Sequence, residues 1–338
     1  MEYSPQTSRS RSWLLKGITG LVVAYAIVIL ALMWWWDYEP PHFDVAATAQ
    51  ARVAAKNEKL VTGSVMVSTL IGSAETLLDK RGGYLSNDKF PPGVLMDNMP
   101  NWEFGVLVAT RDLSDAMRNE FSRSQTQSTE DHDLMEAAPL FNSPNDRWLL
   151  PASERQYRKA IGYVDNYLTR LADNNTQDAQ FFARADNLAD YLGTVSTRLG
   201  SLSQRLSASV GQERIDTDLA GDPNAQQSTP VTSPRVVKTP WLEIDDNFYE
   251  ARGYTWALRE QLEAIRIDFG PVLRDKNAMV SLDQVIRELH ESQNALESPI
   301  VLNGKPFGFF ANHSLVMANY VSRANAAVID LRELLRRG

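Results

Sequence analysis

FFARADNLADYLGTVSTRLGSLSQRL, residues 181–206, carries apolar side chains at alternating intervals of four and three residues. That spacing averages 3.5 residues and places one apolar stripe along a helix, as packing in a helical bundle requires. Similar stripes recur within 157–171 and 317–335. Three stripes predict helices that pack on one another, so the predicted fold class is all-α. The stripe of the quoted stretch consists of Phe181, Ala185, Leu188, Leu192, Val195, Leu199, Leu202 and Leu206.

Further helices are predicted on both sides of these stripes. One covers about 44–80, with a bend at Gly63, because glycine inside a helix costs about 1 kcal/mol relative to alanine. Shorter helices are expected at 101–121, with Asn101 as N-cap, and at 281–296, opened by Ser281. Another apolar face, at 258–269, follows Trp241. Strand is predicted only around Asn303-Gly304, where two short apolar runs meet.

The N-terminal part of the chain contains an apolar run of membrane-spanning length. From Ile18 to Trp36 there are nineteen residues without a charge, between Lys16 and Asp37. A helix needs about 20 apolar residues to cross a hydrocarbon core of about 30 Å. A cleaved secretory signal has a shorter run, of roughly 7 to 15 residues. Residues 18–36 are therefore predicted to be an uncleaved transmembrane anchor, which makes the lipid bilayer a predicted partner.

The residues that flank this run predict its orientation. Arg9, Arg11 and Lys16 precede it, and an excess of Lys and Arg marks the cytoplasmic side of a short segment. Residues 1–17 are accordingly predicted to be a cytoplasmic tail, with the body outside the cytoplasm. At the other end, Trp34, Trp35 and Trp36 are predicted to lie at the membrane interface, where indole rings settle. Pro40 and Pro41 then end the helix.

A polar segment divides the predicted body. Residues 211–239 are rich in polar groups and contain Pro223, Pro230 and Pro234. Such a segment buries too little apolar area to order itself. It separates a helical block at 44–210 from a second block at 240–338, and the two blocks could still share one core.

Composition excludes several classes of function. The chain has 34 Lys and Arg against 42 Asp and Glu, a net charge of −8. An acidic protein is repelled by polyphosphate, so nucleic acid is not a predicted partner. There is no cysteine. Thiol catalysis, zinc–thiolate sites and iron–sulfur clusters are therefore excluded.

One stretch combines acids with aromatic rings, as glycan sites do. It runs from Trp241 to Trp256, and Asp246 and Glu250 would share a helix face at i, i+4 spacing. Paired carboxylates separated by roughly 5 to 9.5 Å perform proton transfer in glycoside hydrolysis. Trp241, Asp246, Glu250 and Trp256 are therefore a candidate glycan or partner site. The alternative is structural: Thr239 or Asp245 caps a helix and the acids favour its N-terminal dipole.

No other polar group suggests a catalytic, metal or cofactor site. The run STEDHD, at 128–133, holds consecutive acids without the alternation and glycine of a calcium loop. It is interpreted as a turn in which Ser128 or Thr129 caps the next helix. The four histidines lack metal-ligand spacing, and capping is the expected role of His313. No catalytic residue, metal or cofactor is predicted.

Several segments resemble a known family. LSNDKFPPGVLMDNMPNWEFGVLV, FSRSQTQSTEDHDL, RLGSLSQRLSASVGQERI, KTPWLEIDDNFYEARG and FFANHSLVMANYVSRANAAVIDLRELL are similar to proteobacterial single-span proteins grouped as a domain of unknown function. The likeness runs from the anchor to the C-terminus. It implies an inner-membrane protein of a Gram-negative cell with its body in the periplasm. The resemblance supports this topology, but it assigns no activity and no functional residue to the chain.

These observations predict a membrane-anchored periplasmic helical scaffold or adaptor. Long apolar seams on an anchored body, without a converging polar cluster, are typical of proteins that contact other proteins. The expected partner is another cell-envelope protein or a second copy of the chain. The alternative is a module that binds or acts on peptidoglycan glycan through residues 241–256.

Overall fold

The computed structural model describes residues 7–123, 129–173, 178–214 and 235–337. Helices form nearly all of the regular structure in these residues, which confirms the predicted all-α class. The helices are α1 (Thr7–Trp36), α2 (Val45–Ala54), α3 (Ser64–Asp79), α4 (Asn98–Ala116), α5 (His132–Phe141), α6 (Ser153–Ala172), α7 (Ala185–Ser207), α8 (Ile244–Asp268), α9 (Gly270–Asp275), α10 (Met279–Glu291) and α11 (His313–Arg336).

Helix α1 projects from the body. Its stretch Trp13–Trp36 is long and apolar enough to cross a membrane, by length and composition. At about 1.5 Å per residue it is about 36 Å long. Most of its apolar side chains are exposed, including Leu21 and Leu30. The tryptophans at its end differ in environment: Trp34 and Trp35 are exposed, whereas Trp36 packs against the core.

The longer body helices run up and down along one axis. Helices α4 and α8 are parallel, since Asn101 contacts Asp246 near their starts and Gln261 donates to the Ala109 carbonyl further along. Helices α7 and α11 are antiparallel, since Arg336 pairs with Asp190 at the start of α7.

Arg205 near the end of α7 pairs with Glu250 near the start of α8, and Arg252 of α8 binds the Ser292 carbonyl just after α10. Lys80, just after α3, pairs with Glu103 near the start of α4, and Asp79 of α3 pairs with Arg158 near the start of α6. The starts of α4, α6, α8 and α11 therefore lie at one end of the bundle, together with the ends of α3, α7 and α10. Helix α1 ends beside it, so it is called the α1 end, and the opposite end is the far end.

Helices α4 and α8 approach each other so closely that glycine is required on both. A Cβ atom at Gly253 would lie 1.9 Å from the Trp102 carbonyl oxygen, and one at Gly105 would lie 2.1 Å from the Glu250 carbonyl oxygen. Real Cβ atoms do not approach backbone oxygens so closely. This contact fixes the α1 ends of two central helices against each other.

The predicted apolar stripes lie in the core. Leu188, Leu192, Val195 and Leu199 of α7 are fully buried, as are Val321 and Val328 of α11. A single cluster of buried side chains includes residues from α3 and α4 as well as from α8, α10 and α11. Helices on both sides of the polar segment therefore contribute to the same hydrophobic cluster.

Helix ends depart from several predictions. The stretch 44–80 is two helices, and Gly63 precedes the second with a φ of +96°, a conformation that favours glycine. Helix α4 begins earlier than predicted, with Asp97 rather than Asn101 as N-cap. Helix α10 spans Met279–Glu291 and its N-cap, Ala278, makes no side-chain cap bond. Local capping signals in these stretches were ambiguous, because several polar residues compete at each start.

Strand in the described chain is minimal, and it is not confined to the predicted place. Two three-residue strands, β1 (Gln212–Arg214) and β2 (Arg235–Val237), pair antiparallel at the two ends of the polar segment. The rest of that segment, 215–234, lies outside the described residues. Near the predicted hairpin there is one isolated bridge, Asn303 to Asn312. Asn303 and Gly304 therefore lie in the stem of this loop and not in its turn.

Candidate functional site

The predicted glycan-site residues lie on or beside α8 in different environments. Trp241 is exposed, in the 3-10 turn Trp241–Glu243 that leads into the helix. Trp256 is buried, with its ring 5.3 Å from that of Trp102. Glu250 is held by Arg205, whose Nη1 and Nη2 atoms lie 2.6 and 2.5 Å from its carboxylate oxygens. Trp256 is therefore packed into the core, and Glu250 is engaged by Arg205.

Asp246 keeps a distinctive electrostatic environment. It accepts a hydrogen bond of 2.6 Å from the side-chain amide of Asn101. Burial, together with the charges of Asp245, Asp97 and Glu243, raises the pKa of Asp246 to about 6. Because its i+4 neighbour Glu250 is neutralised by Arg205, the two acids do not form the paired system of a glycosidase. In the structural alternative the predicted cap was wrong, because Glu243 rather than Thr239 or Asp245 is the N-cap and makes no side-chain cap bond. The acids Asp245 and Asp246 do lie in the first turn of α8, where the helix dipole favours them.

The most elaborate polar contacts in the described chain join the segment after α1 to α8. Arg252, on α8, is buried and donates two hydrogen bonds to the Glu39 carboxylate, from Nε at 2.6 Å and from Nη2 at 2.5 Å. Its Nη1 atom also donates to the carbonyl oxygens of Ser292 and Asn294, at 3.2 and 2.9 Å. One side chain thus ties together the α1 segment, α8 and the loop after α10.

Two further contacts continue along α8. The Trp256 indole N–H donates to the Pro40 carbonyl oxygen at 3.1 Å, and the His42 ring stacks on that indole. His42 Nδ1 lies 2.5 Å from Oε1 of the buried Glu260. Positions 39, 40 and 42 therefore meet positions 252, 256 and 260, one helical turn apart each time. The extended segment after α1 is bound along about two turns of α8.

The loop between α3 and α4 closes the junction from another side. The guanidinium carbon of Arg81 lies 4.3 Å from the centroid of the Trp35 ring and 4.2 Å from that of Tyr38, both cation–π distances. Trp36 packs on Gly82, whose φ of +83° and lack of a Cβ atom admit the indole. These contacts fix the last turn of α1 on the body. We call the whole arrangement, 34–43 with Arg81, Gly82, Arg252, Trp256 and Glu260, the junction.

A cavity of about 670 Å³ lies within the junction. Its wall includes the exposed rings of Trp34 and Trp35, and the loop residues Leu296 and Pro299 close it opposite them. Arg252 also borders it but is already bound to Glu39. More of the cavity wall is aromatic or aliphatic than polar, and the polar residues Glu39, His42 and Arg252 in the wall are already paired within the protein. Such a lining favours an apolar occupant over a polar substrate.

A buried ion pair holds the neighbouring loop. Lys80 and Glu103 are both buried and form a salt bridge. Glu103 also accepts from the backbone N–H groups of Leu85 and Ser86, each at 2.8 Å. Burial raises the pKa of Glu103, and Lys80 opposes that shift. All its partners belong to the chain around the α3–α4 loop, so this pair orders that loop.

The acids of the predicted turn form a cluster at the far end. Asp131, His132 and Asp133 bring their ligand atoms within 4.8 Å of one another. Arg170 already occupies the cluster, with Nη2 at 2.8 Å from Asp131 Oδ1 and 2.6 Å from Asp133 Oδ2. Asp131 also caps α5 by accepting from the N–H groups of Asp133 and Leu134. The predicted cap was therefore wrong: Asp131 takes the role assigned to Thr129 or to Ser128, which lies outside the described residues.

His313 has a different role from the predicted cap. Asn312 caps α11 by accepting from the Leu315 N–H, while His313 Nδ1 accepts from the Leu302 N–H at 3.1 Å. Burial lowers the pKa of His313, which favours the neutral ring that can accept this bond.

Sequence reasoning missed the importance of Arg252, Glu39 and Arg81. A signal for Arg252 was present: it stands alone as a charge in ARGYTWAL, a run of otherwise small, aromatic or apolar residues. A lone charge in such a run is buried only when paired. Its partner could not be read from the sequence, because Glu39 is 213 residues away.

The family described as an uncharacterized protein conserved in bacteria (DUF2333) matches residues 7–338. The chain belongs to this family. The match covers α1, the junction and every body helix, so the anchor-like helix is part of the family's shared architecture. No curated protein and no solved structure matches the chain.

Proposed function

We propose that this protein is a single-pass, membrane-anchored helical scaffold whose body contacts another cell-envelope protein. The observation that carries this proposal is the junction. Arg252, Trp256 and Glu260 bind the segment after α1 directly, without a flexible tether between helix and body. Such a connection holds a body at a defined position on a membrane, which suits a scaffold and is unnecessary for a freely diffusing enzyme domain.

The proposed topology places residues 18–36 in the inner membrane, the N-terminal tail in the cytoplasm and the body in the periplasm. The length and apolar character of Trp13–Trp36 support the span. The basic residues Arg9, Arg11 and Lys16 before it support the orientation. The absence of cysteine suits a periplasmic body that needs no disulfide.

Two separate helix sides, one on α5 and one on α11, are candidates for the proposed contact with a partner protein. Met135 and Ile329 are large apolar side chains exposed on α5 and α11. Each has an exposed charged neighbour, Glu136 and Asp330 respectively. Protein–protein interfaces are built around apolar side chains that become buried on binding.

In-cell photo-crosslinking tests this proposal. A photoreactive amino acid is placed at Met135 or Ile329, and in matched controls at Glu136 or Asp330. A scaffold should give an adduct of one defined mass from an apolar position and less from its charged neighbour, since adjacent helix positions face about 100° apart. The adduct's second component, identified by mass spectrometry, should bind the purified chain. Equal, heterogeneous adducts from all four positions would contradict the proposal.

The alternative, a module for peptidoglycan glycan, rests on fewer residues than the sequence suggested. Trp241 is exposed and Asp246 is partly exposed, so these two side chains remain accessible. Sedimentation of the purified chain with cell-wall sacculi, compared with Trp241→Ala and Asp246→Asn, tests it. Loss of sedimentation in both variants would favour the glycan module over the scaffold.

A further inference from the structure

Large apolar side chains exposed on the body are concentrated at the α1 end. Among the described residues from position 44 onward, eighteen such side chains are exposed, and twelve lie in the loops of that end. Monomeric soluble proteins usually expose such residues singly, and a concentration marks an interaction surface. The remaining six are at the far end or on helix sides: Leu60, Met135, Ile267, Val280, Val316 and Ile329.

Two loops of this group lie beside the end of α1. The α3–α4 loop, which holds Trp35 through Arg81, exposes Phe90, Val94 and Leu95. The α5–α6 loop is bound to it, because the Asn87 side-chain amide donates to the Arg147 carbonyl at 2.8 Å. This second loop exposes the run Trp148, Leu149 and Leu150, and the Trp148 ring lies 5.8 Å from that of Phe90.

The α10–α11 loop presents phenylalanines on an ordered stem. Its stem is closed by the bond from Gly304 N–H to the Ala311 carbonyl at 2.9 Å and by the bridge from Asn303 to Asn312. At its tip Phe307 and Phe309 are fully exposed. The start of the same loop is tied to the junction by Arg252, which binds the Ser292 and Asn294 carbonyls.

A fourth segment, ahead of α8, completes the group. Trp241 and Leu242 are exposed in the turn that opens the helix. Arg252, the α8 residue that holds Glu39, follows three helical turns later. The four segments therefore share one end of the bundle, the end from which α1 projects.

We infer that these four segments form a membrane-docking surface that inserts into the interface of the bilayer crossed by α1. The inference rests on the proposed function in one respect, that α1 spans the membrane. Phe, Trp and Leu are the side chains that partition into the headgroup and upper acyl region of a bilayer. The surface is continuous with α1 through Arg81 and Arg252, so a membrane around α1 reaches these loops without any change in the body.

Spin-label depth measurements in proteoliposomes test this inference. The chain has no cysteine, so single-cysteine variants of the purified full chain can be labelled specifically. Leu95→Cys, Leu150→Cys and Phe309→Cys report on three of the loops. Val280→Cys, 79% exposed at the far end, is the matched aqueous control, and Val22→Cys in the middle of α1 is the hydrocarbon control. The vesicles contain phosphatidylethanolamine and phosphatidylglycerol.

The readout is the ratio of collisions with oxygen, which concentrates in lipid, to collisions with a water-soluble nickel chelate. The three loop labels should give ratios several-fold above Val280→Cys and below Val22→Cys. Aqueous ratios at the loops with Val22→Cys in hydrocarbon would overturn the docking surface and leave the anchor standing. An aqueous ratio at Val22→Cys would overturn the anchor and with it the docking surface. If the raised ratios at the loop labels fell to the aqueous value when the protein was diluted with additional lipid, the surface would be an interface with a second copy of the chain, and lipid docking would be overturned.

Discussion

Arg252 carries a full positive charge into the body, where an unpaired charge is strongly unfavourable. Its side chain is 6% exposed, and the structure surrounds it with the Glu39 carboxylate and two carbonyl oxygens. The bidentate geometry is one that Arg provides and Lys cannot, because the guanidinium is a planar fork. At the residue scale, the link between α1 and the body depends on this side chain more than on any single apolar contact.

Replacing Arg252 by alanine should therefore destabilise the protein strongly. The change leaves the partly buried Glu39 without a partner and releases the loop after α10, and breaking a buried pair costs about 3 to 5 kcal/mol. Urea unfolding of the detergent-solubilised chain measures the loss. Arg158→Ala is the matched control, because Arg158 and Asp79 form a pair that is about half exposed on both sides, worth at most about 1 kcal/mol. Equal effects of the two substitutions would contradict the role given to Arg252.

Asp268 gives a pH-dependent prediction. It accepts from the Met66 N–H at 2.8 Å, at the start of α3, and burial raises its pKa to about 6. An unfolded aspartate titrates near 3.9, so the folded state holds this proton more tightly. The stabilisation from protonating Asp268 is complete below about pH 4 and is lost as pH rises through about 6.

The comparison with Asp268→Asn isolates this effect. The free energy of unfolding of the unmodified chain, minus that of the variant, should rise by up to about 3 kcal/mol between pH 7 and pH 4, given 1.36 kcal/mol per pKa unit. Denaturant titrations at several pH values give the curves. Parallel curves for the unmodified chain and Asp268→Asn would be inconsistent with the raised pKa.

Among the helices, the close contact between α4 and α8 holds these two central helices together near their α1 ends. Gly105→Ala or Gly253→Ala places a methyl group against a backbone carbonyl oxygen, at 2.1 or 1.9 Å, so the helices must separate. Overpacking of this kind costs about 1 to 3 kcal/mol or more. Gly162→Ala on α6 is the control, because a Cβ there meets nothing within 4 Å. It should stabilise by roughly 0.5 to 1 kcal/mol through helix propensity. Thermal unfolding distinguishes the three, and a loss in Gly162→Ala as large as in Gly253→Ala would refute the crossing.

Elements with long periodic stripes could be predicted from the sequence, because burial of one face over five or more turns leaves a regular pattern. The stripes of α6, α7 and α11 are of this type, and most of their apolar positions are buried. Ile161 and Leu171 of α6 are partly buried and pack against the core. Helix starts were less predictable. Asp97 and Asp131 are caps, each within a few residues of other good capping residues, and only the final backbone path selects among them.

The candidate site was predictable only in part, for a related reason. The sequence brings Trp241, Asp246, Glu250 and Trp256 close together along the chain, but side-chain direction separates them: Trp256 faces the core and Glu250 faces Arg205. The junction depends on pairs more than 200 residues apart, such as Glu39 with Arg252. Contacts of that separation leave no local pattern, so the structure was needed to find them.

In the whole molecule, the end of α1 and most of the exposed apolar loop residues lie at the same end of the bundle. Helix α1 projects from the end of the bundle that exposes most of the apolar loop residues, whereas the far end carries the Arg170 cluster and few exposed apolar groups. The contacts of the junction hold the end of α1 against α8, and α8 packs on α3, α4 and α10. We therefore expect the body to move with its anchor as one unit, on the periplasmic side of the membrane.

Cysteine accessibility in cells tests whether the body lies on the periplasmic side of the inner membrane. Val280→Cys, exposed at the far end, is treated with a membrane-impermeant polyethylene glycol maleimide in cells whose outer membrane has been permeabilised. Ser8→Cys, in the predicted cytoplasmic tail, is the control. We expect Val280→Cys to be modified while the inner membrane is intact, on a full-length, membrane-bound chain, whereas Ser8→Cys should react only after lysis. Modification of Ser8→Cys and protection of Val280→Cys in the same cells would contradict it.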